Sequence, residues 1–239
     1  GIADPDPIAQ AWGDPALAKP LSSGIRSLLE QALGVSGAEL AGPRIDEVQV
    51  SPSALSATHR DGLAAIVGEN HLRTADRDRL LYAGGKSTPD LLRRKEVRQA
   101  APDAVILPGD EDDVERVLAF CSHHAIAVVP FGGGTSVVGG LDPIRGDFGA
   151  VVTLDLRRFN ALYWLDETSG EAELGAGLTG PDAERLLGER GFSLGHFPQS
   201  FRFASIGGYA ATRSSGQDSA GYGRFNDMVR GMRVITPAG

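Results

Sequence analysis

At 239 residues the chain can bury a core as one large domain or two smaller ones, and 41% hydrophobic with 23% charged residues is the make-up of an ordinary globular protein. A net charge of −8 excludes nucleic acid as the main partner, because no basic stripe is there to release counterions. The one cysteine excludes an internal disulfide framework and suits a reducing compartment, and no apolar run reaches the length of a transmembrane segment.

Residues 1–20 carry Pro5, Pro7, Pro15 and Pro20 among small residues, with Trp12 the one large anchor, which predicts an extended arm. The start shows no signal-peptide pattern, and a first residue of Gly rather than Met leads us to expect missing upstream sequence. Ser22 to Leu33 spaces Ile25, Leu28, Leu29, Ala32 and Leu33 as a helical face ending at Gly34. Ala41 to Pro52, with Ile45, Val48 and Val50, predicts a short strand or an extended connection. Leu55 to Val67 predicts a helix closed by Gly68, and Tyr82-Ala83-Gly84-Gly85 a turn. Asp90 to Val97 predicts a basic helix, with Arg93, Arg94, Lys95 and Arg98 on a solvated face.

A denser pattern begins at Pro102. Ala104 to Leu107 predicts a strand, and Asp110 and Asp113 then open an amphipathic helix through Val114, Val117, Leu118 and Cys121. Cys121 lies on the apolar stripe and is expected to be a core thiol, while His123 and His124 close the helix as caps rather than metal ligands. Ala125 to Gly140, AIAVVPFGGGTSVVGG, runs as a buried strand to Val129, turns at Pro130 and breaks into three glycines. Glycines free of a Cβ let main-chain N–H groups converge on an anion, with Thr135 and Ser136 as further donors. Lysine is missing after the glycines, which excludes a Walker A loop, and Val137 stands where a dinucleotide fingerprint needs its third glycine. The stretch therefore reads as a loop gripping a phosphate or pyrophosphate; taken alone, it leaves open a glycine-rich turn with no ligand.

Gly149 to Leu156 predicts a strand, Leu162 to Asp166 and Glu171 to Leu174 a hairpin, and Thr179 with Asp182 a capped helix that stops at Gly191. The order β-α-β-loop-β-β-β-α points to an α+β domain rather than a doubly wound sheet. Gly195 to Gly223 reads as one long loop, rich in Gly, Ser, Thr and Ala, and is expected to line a site. Within it Ser205, Thr212, Ser214 and Ser215 offer hydroxyls, Gly207 and Gly208 allow close backbone approach, and Arg213 suits a phosphate. Met228 to Thr236 is expected to close as a strand.

The segments PFGGGTSVVGG, LGAGLTGPDAERLL and GHFPQSFRFASIGGYAATRSSGQDSAGYGRFNDMVRGMRVITPAG resemble the PCMH-type FAD-binding domain of the vanillyl-alcohol oxidase superfamily. Within it the chain is most similar to the alkyldihydroxyacetonephosphate synthase family and its bacterial relatives, from Leu72 to Gly239. The resemblance implies an α+β fold of two subdomains around FAD, incomplete at its C-terminal end. Residues 1–95 would be an arm and mainly helical region, and 96–239 the FAD-binding domain. It places the pyrophosphate on Pro130, Phe131, Gly132, Gly133, Gly134, Thr135 and Ser136. It lines the remaining FAD with Gln199, Ser200, Ser205, Gly208, Thr212, Arg213, Ser214 and Ser215. Relatives with covalent FAD carry His where Thr135 stands, so non-covalent FAD is expected.

The implied activity is exchange of an acyl chain for a fatty alcohol through a flavin N5 adduct, without net redox change. The alternatives are an FAD-dependent D-2-hydroxy-acid dehydrogenase or oxidase acting on lactate or glycolate, and a phosphate-binding module without redox chemistry. Catalytic residues are expected beyond residue 239, in what would be the rest of a larger enzyme. His196 is expected to be structural beside Phe197 and Pro198. The implied partners are a small-molecule or lipid-like substrate, with a homodimer and peripheral membrane contact compatible with a cytoplasmic location.

Overall fold

A computed structural model describes residues 19–35, 42–43 and 46–239; the arm around Trp12 and the position of Ile45 lie outside them. In chain order the elements are α1 (Ser23–Leu33), β1 (Gln49–Val50), α2 (Ala57–Val67), β2 (Leu72–Arg73), α3 (Asp76–Leu80), α4 (Thr88–Arg93), β3 (Arg98–Gln99), β4 (Ala104–Ile106) and α5 (Glu111–His123). There follow β5 (Ile126–Phe131), β6 (Ala150–Asp155), β7 (Leu162–Asp166), β8 (Glu171–Leu174), α6 (Gly180–Gly188), α7 (Ile206–Thr212), α8 (Ser219–Tyr222) and α9 (Phe225–Met228). Side-chain caps fix most helix starts: Ser22, Ser56, Asp110, Thr179 and Ser205 each accept a hydrogen bond from a main-chain N–H three residues on. Ser87 and Asp90 cap α4 reciprocally. Three acidic residues in the first turn of α5 meet the positive end of its dipole.

The central sheet has the order β2-β4-β6-β5, with β4, β6 and β5 parallel and β2 antiparallel to β4. Side chains alternate across it. On one face Ala104, Ile106, Val152, Leu154 and Ile126 pack against Leu63 and Val67 of α2 and Val114, Val117 and Cys121 of α5. Burial pushes the Cys121 thiol up to about 12, as suits an inert core residue. On the other face Val105, Leu107 and Phe131 pack against Leu81 and Tyr82. A second core joins Leu178 and Ala183 to Ala204, Ile206, Tyr209 and Phe225 around α6, α7 and α9. β6 is buried along its whole length, whereas β5 is an edge strand and so accommodates Pro130, which has no N–H for a ladder. The strand therefore runs through the turn expected at Pro130 and ends at Phe131.

Four expectations are corrected. The helix placed at 90–97 is α4, which starts at Thr88 and stops at Arg93. Its basic residues are not all solvated: Arg94 is buried, and its Nη2 donates to the carbonyls of Gly84 and Gly85 at 3.1 Å each. The long segment 195–223 contains α7 and α8 rather than running as one loop. Residues 228–236 form no strand; Arg233 instead pairs with Glu111 and Glu173, holding the segment by side-chain charge where no ladder partner is offered.

Candidate functional site

The glycine loop leaves β5 where Pro130 pairs with Leu154 and Phe131 with Asp155, and Leu156 N–H donates to the Phe131 carbonyl at 3.2 Å. The loop then runs against the turn that precedes α7. A Cβ on Gly132 would lie 2.2 Å from Ser205 Oγ, and one on Gly133 only 1.8 Å from the Phe203 carbonyl oxygen. Gly134 is left-handed at φ 70, and its missing Cβ would meet Phe131 Cζ at 2.8 Å. Among the described residues, the main-chain N–H groups of Gly132 to Val137 donate to no protein acceptor. Val137 is exposed, but Gly132 to Ser136 are buried or half-buried, and amides there without partners are costly unless something outside the protein chain satisfies them. Consecutive unpaired amides beside the hydroxyls of Thr135 and Ser136 are a donor set of the kind that receives an anion.

Ser205 and Gly208 are brought to this loop. Ser205 bridges to Thr179, its Oγ accepts from Gly208 N–H at 3.2 Å, and Gly207 N–H donates to the Ala176 carbonyl at 2.8 Å. These bonds hold the start of α7 beneath Gly132. Gln199 and Ser215 belong to a separate recess lined by Phe197, Pro198, Gly216 and Gln217. The Ser200 carbonyl accepts from Phe203 and Ala204 at 2.9 Å each and so shapes the turn that meets Gly133. Thr212 Oγ1 is spent on the Gly208 carbonyl at 2.8 Å. Arg213 is exposed and left-handed at φ 49, and among the described residues it makes no ion pair. None of Thr212, Arg213, Ser215 or Gln199 hydrogen-bonds to the glycine loop among the described residues.

Ser214 Oγ lies 2.9 Å from Nε2 of His196, a ring buried against Tyr209 and Phe225. This is the structural role expected for His196. Burial holds its pKa below 6.5, so the unfolded chain takes up the proton first as pH falls. Stability is then fully present above 6.5 and declines below it. Thermal melts from pH 7.5 to 5 should show a decline that becomes shallower in His196→Gln.

Sequence reasoning missed the segment that braces the loop from the opposite side. Lys86 N–H donates to the Ser136 carbonyl at 2.7 Å, and a Cβ on Gly85 would fall 2.1 Å from that same oxygen. Arg93 reaches both Asp90 and Asp142, the latter at 2.9 Å, which neutralises the acidic residue at the far end of the loop. The Ser87-x-x-Asp90 capping pair was a readable signal; its neighbour across the fold was not. Beneath the loop, Tyr82 donates its hydroxyl hydrogen to Asp155 at 2.6 Å, and Arg157 Nε donates to the same carboxylate at 2.7 Å.

Residues 102–239 match the FAD binding domain family. The chain is 36% identical over 193 residues to an alkyldihydroxyacetonephosphate synthase of Trypanosoma brucei brucei, covering 80% of this chain and 32% of that protein. It is 29% identical over 180 residues to glycolate oxidase subunit GlcD of Bacillus subtilis, covering 75% and 36% of the two chains. A solved alkyldihydroxyacetonephosphate synthase superposes with a TM-score of 0.79 at 33% identity, over 83% of this chain and 38% of that one. A 4-ethylphenol oxidase of Gulosibacter chungangensis shares the fold at a TM-score of 0.52 and 20% identity. The chain thus spans about a third of the length of these curated relatives. No helix among the described residues is long and apolar enough to cross a membrane. The α+β fold is that of the PCMH-type domain, FAD is its cofactor, and the unpaired amides and hydroxyls of the glycine loop fit a diphosphate. The chain belongs to the FAD binding domain family.

Proposed function

We propose that this chain is the FAD-holding part of a flavoenzyme similar to alkyldihydroxyacetonephosphate synthase, exchanging an acyl chain for a fatty alcohol on a dihydroxyacetone phosphate. The observation that carries this reading is the row of unpaired amides, Gly132 to Val137, held against Ser205 by glycines with no room for a side chain. Pro130, Phe131, Gly132, Gly133, Gly134, Thr135 and Ser136 hold the diphosphate. Gln199, Ser200, Ser205, Gly208, Thr212, Arg213, Ser214 and Ser215 line the remainder of the cofactor, with Arg213, which makes no ion pair among the described residues, as a cation for negative charge. When bound, the flavin supplies a two-electron acceptor ring, while the protein supplies orientation and electrostatics. Thr135 offers no imidazole for a covalent link, so FAD is released intact on denaturation. The resemblance to the glycolate oxidase subunit favours a second reading, oxidation of a D-2-hydroxy acid.

The test is made on the intact protein. It should take up FAD on titration and give it back on denaturation. Anaerobic addition of D-lactate or glycolate bleaches the flavin only under the second reading. Under the first, acyl dihydroxyacetone phosphate and a fatty alcohol yield an ether product with no electron acceptor present. Protein that neither gains FAD nor is stabilised by it would overturn both.

A further inference from the structure

Residues 82–94 precede the span that matches the family, yet they meet the glycine loop at three places. The Tyr82 and Phe131 rings are in edge contact at 4.6 Å, Lys86 N–H binds the Ser136 carbonyl, and Arg93 binds Asp142. The first contact is the unusual one. Tyr82 is fully buried among Leu81, Val105, Leu107 and Phe131, where an apolar residue would fill the space. Its hydroxyl instead donates to Asp155 and accepts from Arg157 Nη2, each at 2.6 Å. A buried carboxylate, guanidinium and phenol cost more desolvation than an apolar core, and what they give in exchange is one fixed orientation. Burial first, and then the Asp155 charge, raise the Tyr82 pKa, so the hydroxyl stays a protonated donor. Phe131, the ring held by Tyr82, presents Cζ to the spot where a Gly134 side chain would be. Gly134 is the left-handed residue at which the loop turns.

We propose that Tyr82 is a positioning residue for the cofactor loop: anchored by Asp155 and Arg157, it props Phe131 under Gly134 and so sets the turn on which the Gly132 to Ser136 amides converge. A densely packed interior passes a ring displacement on rather than absorbing it. The inference rests on the diphosphate reading above.

The experiment compares the intact wild-type protein with Tyr82→Phe, Phe131→Leu and the control Val117→Ala, a core substitution on the opposite face of the sheet. FAD affinity is measured by fluorescence titration, melting temperature on FAD-free protein, and loop anchoring by amide hydrogen exchange at Lys86 and Leu156, whose N–H groups donate to the Ser136 and Phe131 carbonyls. Tyr82→Phe and Phe131→Leu should each weaken FAD at least tenfold and speed exchange at these two amides. Val117→Ala should lower the melting temperature by as much or more, with FAD affinity within twofold of wild type. The inference is overturned if Tyr82→Phe binds FAD as wild type does, if Phe131→Leu leaves affinity intact, or if Val117→Ala weakens FAD equally. Should wild type itself fail to bind FAD, the diphosphate reading falls. The exchange data then still decide on Tyr82, with faster exchange at Lys86 and Leu156 in Tyr82→Phe supporting it and unchanged exchange overturning it.

Discussion

Gly133→Ala is expected to weaken FAD binding by about 100-fold or more, equivalent to about 3 kcal/mol, and to destabilise the FAD-free fold by about 1–3 kcal/mol through overpacking. The added methyl would sit 1.8 Å from the Phe203 carbonyl oxygen, 2.5 Å from its carbon and 2.8 Å from Ala204 Cα. All three are main-chain atoms, so no rotamer can relieve the clash, and the loop and the turn before α7 must separate. Separation moves the unpaired amides away from Ser205 and Gly208 at the start of α7. Gly140→Ala is the matched comparison. Its methyl would have nothing closer than Ser136 Oγ at 3.6 Å, so both stability and FAD affinity should stay near wild type, within about 0.5 kcal/mol. FAD titration and urea unfolding of the two variants make the measurement. Equal FAD affinity in Gly133→Ala and wild type would mean that the docked geometry of the loop does not serve the cofactor.

The contrast between these glycines shows what could be read from the chain alone. A glycine cluster after an apolar run announces a loop because the backbone demand is local, and the order of strands and helices from Pro102 to Gly191 follows from periodicity and capping residues, again local. Which glycine is indispensable is a tertiary matter: Gly133 is confined by Phe203 and Gly85 by Ser136, each far away in sequence. Arg94 sits in a basic run that reads as solvated, yet two carbonyls from a preceding turn satisfy its guanidinium in the interior. α7 carries Gly207 and Gly208, poor helix formers, and forms because Ser205 caps it and the Leu178 and Ala176 carbonyls receive its first amides. Conversely, Val229, Val234 and Ile235 have strand character, but a strand exists only where another offers its ladder, and local pattern says nothing of that.

Asp155→Ala should cost about 3–5 kcal/mol of stability, because it breaks a largely buried carboxylate–guanidinium pair. Asp155 is completely buried at the end of β6, and its two oxygens accept from the Tyr82 hydroxyl, Arg157 Nε and Arg157 N–H. Alanine removes the negative charge while Arg157, its side chain only 12% exposed, keeps the positive one. The Tyr82 hydroxyl hydrogen also loses its acceptor. Asparagine should rescue little. Whichever way its amide is turned, an NH₂ donor faces either the Tyr82 and Arg157 side-chain donors or the Arg157 main-chain N–H, so one donor always opposes another. Adding Arg157→Met to Asp155→Ala should restore a substantial part of the loss, since the apolar side chain takes the largely buried guanidinium out of the interior together with its carboxylate. Urea unfolding with an unchanged slope and a shifted midpoint would measure each step. If the double variant proved no more stable than Asp155→Ala, the cost would have to be assigned to the cavity and the Tyr82 hydroxyl rather than to Arg157. Because the same carboxylate anchors Tyr82 below Phe131, the double variant should regain stability without regaining FAD affinity, which separates the structural use of this buried cluster from its use at the loop.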